Sequence, residues 1–189
     1  MCDNDIRVRC VLFRKAMEYA HRHGFFNNDI SLRDFPDGSC GSASYMLAEY
    51  LLSYGTETIY VCGSSADGPH AWLVVKDDRV KEASVSPVVF TDEMPIEIYN
   101  VMKSYGMNED DNQREIRYAE DDIDGGLIID ITGDQFGETP VYVGYMDRFH
   151  ERYRIIDAQD YSEIRNQNIT NPYWEFYNFC KGNGINGFI

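Results

Sequence analysis

The sequence has little positive charge and no long apolar stretch. Its 189 residues include 17 Lys and Arg against 32 Asp and Glu, which gives a formal net charge of −15 at pH 7. Such an acidic chain repels phosphate backbones and anionic lipid headgroups, so nucleic-acid and membrane partners are disfavoured. No apolar run approaches the roughly 18 residues that cross a bilayer, and no signal peptide is evident. We therefore expect a cytoplasmic protein, working in its own cell or delivered into a target cell.

Cysteine is also scarce, and its spacing argues against a metal or disulfide framework. The five cysteines are odd in number, scattered, and form no Cys-x-x-Cys pair. This pattern is typical of free thiols in a reducing compartment, so no structural zinc site is expected. The phosphate-binding pattern Gly-x-x-x-x-Gly-Lys-Ser/Thr does not occur either. We expect neither a metal nor a cofactor.

The order of the predicted elements favours an α+β fold. Apolar residues at helical spacing predict helices over residues 6–23 and 41–54, and 95–105 and 172–181 also look helical. β-Branched and aromatic runs predict strands over residues 58–63, 70–76, 127–132, 141–143 and 153–156. Helices followed by mostly strands indicate N-terminal helices packed on an antiparallel sheet. We expect a single domain over residues 1–189, with an insertion at about 77–126 that contains the predicted helix over 95–105 and an acidic, loop-like stretch over 108–126.

Three residues lie where an activated thiol would need them. Cys40 opens a predicted helix, whose unpaired amides stabilise a thiolate. His70 begins a strand after a Gly-Pro turn, and Asp130 lies in an apolar strand, where a carboxylate needs a partner. Cys40 would be the nucleophile, His70 the base that takes its proton, and Asp130 the group that orients His70. The backbone N–H of Cys40 is one candidate oxyanion donor.

Each of these residues also has an ordinary structural explanation. A lone cysteine is usually a buried apolar residue. A histidine can simply be satisfied within a strand, and an aspartate just before Thr132-Gly133 can serve a turn or a cap. The functional hypothesis depends on the three occurring together, in the order helix start, strand, strand.

Three short segments resemble one known family: Gly38-Ser39-Cys40, His70-Ala71-Trp72 and Asp130-Ile131-Thr132. In this order they look like the core of the transglutaminase-like branch of the papain-like cysteine enzymes, over roughly residues 38–132. The resemblance implies a papain-like core, with Cys40 as nucleophile, His70 as base and Asp130 as orienting acid. The family carries out acyl transfer at amide carbonyls and includes proteases, deamidases, transglutaminases and inactive members. Bacterial effectors and toxins that act on host proteins also use this fold, and a compact acidic chain is similar to them.

Two departures from the family pattern affect the predicted site. The family usually has a short hairpin between the His and Asp strands, whereas residues 77–126 intervene here. Papain has a Gln shortly before its Cys as an oxyanion donor, but Arg33-Asp34-Phe35-Pro36 contains none. Trp72 and Gln135 are the candidates for the second donor, although Gln135 also fits an ordinary loop residue.

The residues and the resemblance together predict a cysteine-dependent hydrolase of protein or peptide amides, either a thiol protease or a protein-glutamine deamidase. One alternative is a catalytically inactive protein-binding module on the same fold, favoured by the missing oxyanion partner and the insertion. Another is an acyltransferase or transglutaminase, which passes the acyl group to an amine. The oligomeric state is not predicted.

Overall fold

The computed structural model describes residues 2–87 and 114–185. Within them the chain is a mixture of helices and antiparallel strands, which confirms the predicted α+β class. The predicted helix over residues 95–105 lies outside the described residues. No helix in the described part of the chain is long and apolar enough to span a membrane.

Three long helices and two short ones are described. They are α1 (Asp3–Arg22), α2 (Cys40–Ser53), α3 (Glu120–Ile123), α4 (Tyr161–Ile164) and α5 (Gln167–Gly182). Single turns of 3-10 helix cover Gly133–Phe136 and His150–Arg152. The first two helices match their predicted positions, because their apolar stripes recur at the helical period and a glycine with positive φ follows each.

Five of the seven described strands form one antiparallel sheet. The strands are β1 (Thr58–Ser65), β2 (Gly68–Val75), β3 (Ser84–Pro87), β4 (Arg114–Arg117), β5 (Ile128–Asp130), β6 (Tyr142–Gly144) and β7 (Arg154–Asp160). The sheet has the order β6-β5-β2-β1-β7, and β3 pairs with β4 in a separate two-stranded sheet. The acidic segment 108–126, predicted to be a loop, therefore contains β4 and α3.

The central strand β2 is buried on both faces of the sheet. Its side chains alternate between the two faces. Ala71 and Leu73 belong to the core that α1, α2 and α5 cover, which we call the helix-side core. Trp72 and Val74 belong to a second core on the opposite face, built largely of aromatic side chains, which we call the aromatic core. The end of β2 therefore lies between a helical layer and an aromatic layer.

The last helix begins earlier than its sequence predicted. Pro172 and Asn171 indicated a start near residue 172, because proline is frequent in the first helical turn. The helix begins instead at Gln167, and Asn166 is the cap, accepting a hydrogen bond from the Asn168 N–H at 2.9 Å. Asn166 has the same capping chemistry as Asn171, so local composition does not distinguish the two starts. Pro172 lies inside the helix.

A buried arginine fastens α1 to the segment that follows β5. The Arg14 guanidinium donates two hydrogen bonds to the Asp134 carboxylate, at 2.9 and 2.7 Å, and one to the Ile131 carbonyl at 2.5 Å. It also lies over the Phe35 ring, 4.6 Å from the centroid. Bidentate pairing of this kind fixes geometry as well as charge. Helix α1 therefore holds the backbone immediately after Asp130.

Removing the carboxylate should expose the dependence of the fold on this pair. Asp134→Ala removes the bidentate partner of the Arg14 side chain, which is 6% exposed, and leaves it the Glu18 carboxylate at 2.9 Å. We expect a loss of about 2 kcal/mol in the free energy of unfolding, within the range for hydrogen bonds to a charged group, measured by chemical denaturation. Asp34→Ala is the control, because the Arg33–Asp34 pair is 58% and 69% exposed and should cost under about 0.5 kcal/mol. Equal losses in the two variants would contradict the prediction.

Candidate active site

Cys40 is the first residue of α2, with Ser39 as the N-cap. The first N–H groups of a helix have no acceptor inside the helix. The Ser39 hydroxyl does not cap them, since it donates to the Asp37 carbonyl at 3.3 Å. These free amides and the helix dipole favour negative charge at Cys40. Cys40 is partly exposed, whereas Cys10 and Cys180 are buried.

His70 and Asp130 come together from adjacent strands. β2 pairs with β5 so that Leu73 faces Ile129, which leaves Asp130 one step further toward the end of β2 that carries His70. The His70 Nε2 and the Asp130 Oδ2 are 2.8 Å apart, and both side chains are essentially without solvent exposure. Because an ionised carboxylate only accepts hydrogen bonds, Nε2 of His70 carries the donated proton.

The edge of the His70 ring away from Asp130 is turned to Cys40. Burial lowers the pKa of His70, but the hydrogen bond to Asp130 and the interactions with Cys40 outweigh burial and raise that pKa to about 9. Nδ1 of His70 is buried and makes no hydrogen bond of normal length to any described residue, Cys40 included. His70 thus links Asp130 to the thiol, and its imidazole holds a proton at neutral pH.

Asp130 stays ionised despite its burial. Burial raises the pKa of this carboxyl, but interactions with His150 and His70 and the backbone N–H of Thr132 lower it well below its usual range. The Thr132 N–H lies 2.8 Å from Oδ1 and the Thr132 hydroxyl 3.2 Å from the same oxygen. The Asp-x-Thr spacing therefore supplies two donors to one carboxylate oxygen and leaves the other oxygen for histidine.

Aromatic rings enclose His70 on the side away from the helices. The rings of Phe136, Phe149 and Tyr153 have centroids 5.0, 5.6 and 5.4 Å from that of His70. Gly63 pairs with His70 across β1 and β2, and a Cβ at that position would lie 2.8 Å from the Tyr153 Cβ. Only glycine allows this approach without a backbone shift, so Gly63 is part of the enclosure of the histidine.

The two candidate oxyanion donors occupy different places. Trp72 is 1% exposed and packs between His150 and Tyr153 in the aromatic core, with ring centroids 5.3 and 5.8 Å away. That placement gives no support to a substrate-binding role. Gln135 accepts a hydrogen bond from the Gly38 N–H at 3.2 Å and donates to the Thr132 carbonyl at 3.0 Å. Gln135 therefore joins the segment before Cys40 to the segment after Asp130.

Sequence reasoning missed Tyr60, which lies beside the start of α2. A Cβ built on Gly41 would be 3.3 Å from the Tyr60 hydroxyl. Burial raises the pKa of Tyr60 well above its usual value, and Tyr45, Cys62 and Cys40 add to this. The hydroxyl therefore keeps its proton and can donate a hydrogen bond. Tyr60 stacks on Tyr45, with centroids 4.3 Å apart. No local motif marks it, because only the pairing of α2 with β1 brings it to Cys40.

His150 was also missed. Its Nε2 lies 3.6 Å from the Asp130 Oδ2, and its Nδ1 lies 2.7 Å from the Asp147 Oδ1. The only sequence signal for His150 is indirect. A buried Asp130 carboxylate needs polar partners, and the chain has only four histidines that could supply one. His150 begins a 3-10 turn far along the chain from β5, and its sequence neighbourhood carries no recognised pattern.

The same three side chains are the ones that could hold a metal ion. One ligand atom each from His70, Asp130 and His150 lie within 4.8 Å of one another, the single such group found in the described part of the chain. Two histidines and a carboxylate suit zinc. An ion there would replace the proton between His70 and Asp130, however, so metal binding and the hydrogen-bonded arrangement exclude each other.

Comparison of the chain with protein-family models, with curated proteins and with solved structures finds no match.

The contacts of His70 with Asp130 and Cys40 should be visible in the titration of its ring. We expect an apparent pKa near 9 for His70, measured by ¹H–¹⁵N NMR of the imidazole between pH 5 and 10. Because this pKa lies above the usual 6.5, His70 protonation stabilises the fold below pH 6.5, and this stabilisation is lost as pH rises through 9. Asp130→Asn should lower the midpoint toward 6.5 and Cys40→Ser should lower it less. A midpoint near 6.5 in the unmodified protein would contradict the geometry.

Proposed function

We propose that the chain is a cysteine-dependent hydrolase that acts on amide bonds of a protein or peptide. The observation that carries the proposal is the buried contact between His70 and Asp130, next to a thiol at a free helix N-terminus. The arrangement of helix start and adjacent antiparallel strands is what a papain-like or transglutaminase-like core requires. We assign Cys40 as nucleophile, His70 as acid and base, and Asp130 as the group that fixes the His70 tautomer.

The geometry supports a two-step reaction. The Cys40 sulfur, its proton held by His70, attacks the amide carbonyl carbon and forms a C–S bond. The C–N bond then breaks, and the amine leaves with the proton from His70. In the second step water adds to the thioester while His70 takes its proton. The C–S bond then breaks and a carboxylic acid is released. The Cys40 sulfur leaves as a thiolate beside His70, which holds the proton as it did at the start.

The developing oxyanion needs donors on the open side of Cys40. The backbone N–H of Cys40 is free at the helix start, and the Tyr60 hydroxyl lies against Gly41. We assign them as the two donors. Tyr60 would thus take the role of oxyanion donor that a Gln before the Cys has in papain and that no Gln can have here.

The chemistry so far is common to proteases and glutamine deamidases, which differ in whether the leaving group is a peptide amine or ammonia. Hydrolysis ranks above transfer to an amine, because a water molecule is the simpler second reactant and no described feature marks an amine site. The acidic charge of the chain, −15, favours a cationic protein or peptide partner over an anionic one.

One observation favours the alternative of an inactive binding module. His70 has no solvent exposure, and aromatic rings enclose it. The two-step reaction needs the leaving amine and the attacking water to exchange protons with His70, and an enclosed imidazole hinders both exchanges. The reactivity of Cys40 therefore tests whether His70 nonetheless activates the thiol.

The activated thiol predicts selective alkylation. With iodoacetamide at pH 6 to 7 and cysteine-resolved mass spectrometry, Cys40 should react at least about 10-fold faster than Cys2, an exposed cysteine that serves as the internal reference. Burial raises the pKa of Cys62 to about 11 and those of Cys10 and Cys180 to about 12, so these three should stay unmodified.

His70→Ala and the volume-conserving His70→Gln should both reduce Cys40 alkylation to the rate of Cys2, with folding checked by circular dichroism. If Cys40 already behaves like Cys2 in the unmodified protein, the hydrolase proposal fails and the binding module is favoured.

Tyr60 can be tested separately from the nucleophile. Acylation of Cys40 by p-nitrophenyl acetate passes through an oxyanion, whereas alkylation by iodoacetamide does not. Tyr60→Phe keeps the ring that stacks on Tyr45 and removes only the hydroxyl. We expect acylation to slow by about 10²-fold, the typical cost of losing one oxyanion donor, with alkylation unchanged. Equal acylation rates in the variant and the unmodified protein would contradict the assignment of Tyr60 as the second oxyanion donor.

A further inference from the structure

His150 is a buried histidine that the reaction above does not use. It is 2% exposed, and its ring packs against Trp72 and Tyr142, with centroids 5.3 and 5.2 Å away. Burying an imidazole costs free energy that a leucine or phenylalanine of similar size would not. A buried imidazole in this position therefore needs polar interactions that offset the cost of its burial.

The orientation of the His150 ring is fixed from its far side. Asp147 Oδ1 lies 2.7 Å from Nδ1 and 3.0 Å from the backbone nitrogen of His150. Because the Asp147 carboxylate is an acceptor, Nδ1 carries a proton. The ring is thus held at one nitrogen, confined on its faces by aromatic rings, and left with Nε2 as its only other polar atom.

That second nitrogen faces the Asp130 carboxylate. Nε2 lies 3.6 Å from Oδ2, the oxygen that accepts from His70, and at that distance it makes no hydrogen bond of normal length. Since Nδ1 already carries a proton, Nε2 attracts the carboxylate only as the second N–H of the charged imidazolium. Oδ1 is already occupied by two donors from Thr132. The carboxylate is therefore contacted on Oδ2 by two imidazoles, one leading to the thiol and the other leading to Asp147, whose side chain is 34% exposed.

We propose that His150 is a positioning residue which holds the Asp130 carboxylate in line with His70, so that the working unit is Cys40–His70–Asp130–His150. The inference rests on the proposed function and names a further member of the same site. An Asp130 carboxylate free to rotate away would release His70 from its tautomer and from its place beside the sulfur. Angular errors of this size are costly, because the reacting groups act only within a narrow geometry.

The test compares two replacements of His150. His150→Phe keeps an aromatic ring in the pocket but offers Asp130 no polar partner. His150→Gln supplies a side-chain amide that can donate to Oδ2. We expect His150→Phe to slow Cys40 alkylation at pH 6.5 by about 10- to 100-fold and to broaden or shift the NMR signal of the His70 Nε2 proton. His150→Gln should keep that signal and restore the rate to within about 3-fold of the unmodified protein.

Thermal melting of each variant separates a positioning role from a packing role. A rate that follows the presence of a donor, and not the melting temperature, supports the proposal. If His150→Phe alkylates as fast as the unmodified protein, or if both variants lose rate and melting temperature together, His150 is structural and the inference is overturned. Asp147→Ala should give an intermediate rate, because His150 then keeps its place but loses its tether.

Three further outcomes are distinguishable. One zinc ion per chain in the purified protein, lost in both His150 variants by elemental analysis, would make His70, Asp130 and His150 a metal centre and overturn the inference. If Cys40 of the unmodified protein is no more reactive than Cys2, the proposed function and the inference fail together. If Cys40 is activated and depends on His70 but not on His150, only the inference fails.

Discussion

The contact between His70 and Asp130 is the interaction on which the rest of the site depends. A carboxylate with 2% exposure is stable as an anion only when donors replace the water it has lost. The chain supplies two such donors, Thr132 just beyond the strand and His70 from the neighbouring strand. The His150 imidazole, from a distant turn, lies 3.6 Å from the same carboxylate. The position of β5 beside β2, the enclosure by aromatic rings and the spacing of Asp130 and Thr132 all serve this one buried charge.

The remaining structure keeps two chain segments in register with that charge. Arg14 binds the loop after Asp130 from helix α1, through both the Asp134 carboxylate and the Ile131 carbonyl. Gln135 joins the same loop to the Gly38 N–H, just before the start of α2. A shift of β5 would therefore move the thiol, and a shift of α2 would move the loop. The site is rigid because its parts share partners across the interface between helices and sheet.

Much of this arrangement was predictable from the sequence, and the limits of that prediction have physical causes. The positions of α1, α2, β1 and β2 follow from periodicity and from glycines, which are local signals. Cys40, His70 and Asp130 stand at the ends of such elements, so their proximity could be expected from element order. Tyr60 and His150 carry no local signal, since only tertiary pairing brings them to the site. The start of α5 was missed because two asparagines offered equivalent caps.

The site lies at the end of the sheet, where Cys40 and His70 have different surroundings. Cys40 packs against the helix-side core, on the same face as Tyr60, and is partly exposed. Trp72, Phe149 and Tyr153, which surround His70, belong to the aromatic core on the opposite face. The imidazole and its carboxylate partner thereby lie in a region from which water is excluded, where hydrogen bonds to charged groups are stronger. The sulfur, by contrast, lies at the start of α2 and is partly exposed. The alternation of side chains along β2 gives the sheet two different faces, so the histidine is enclosed by aromatic rings while the cysteine packs against the helical layer.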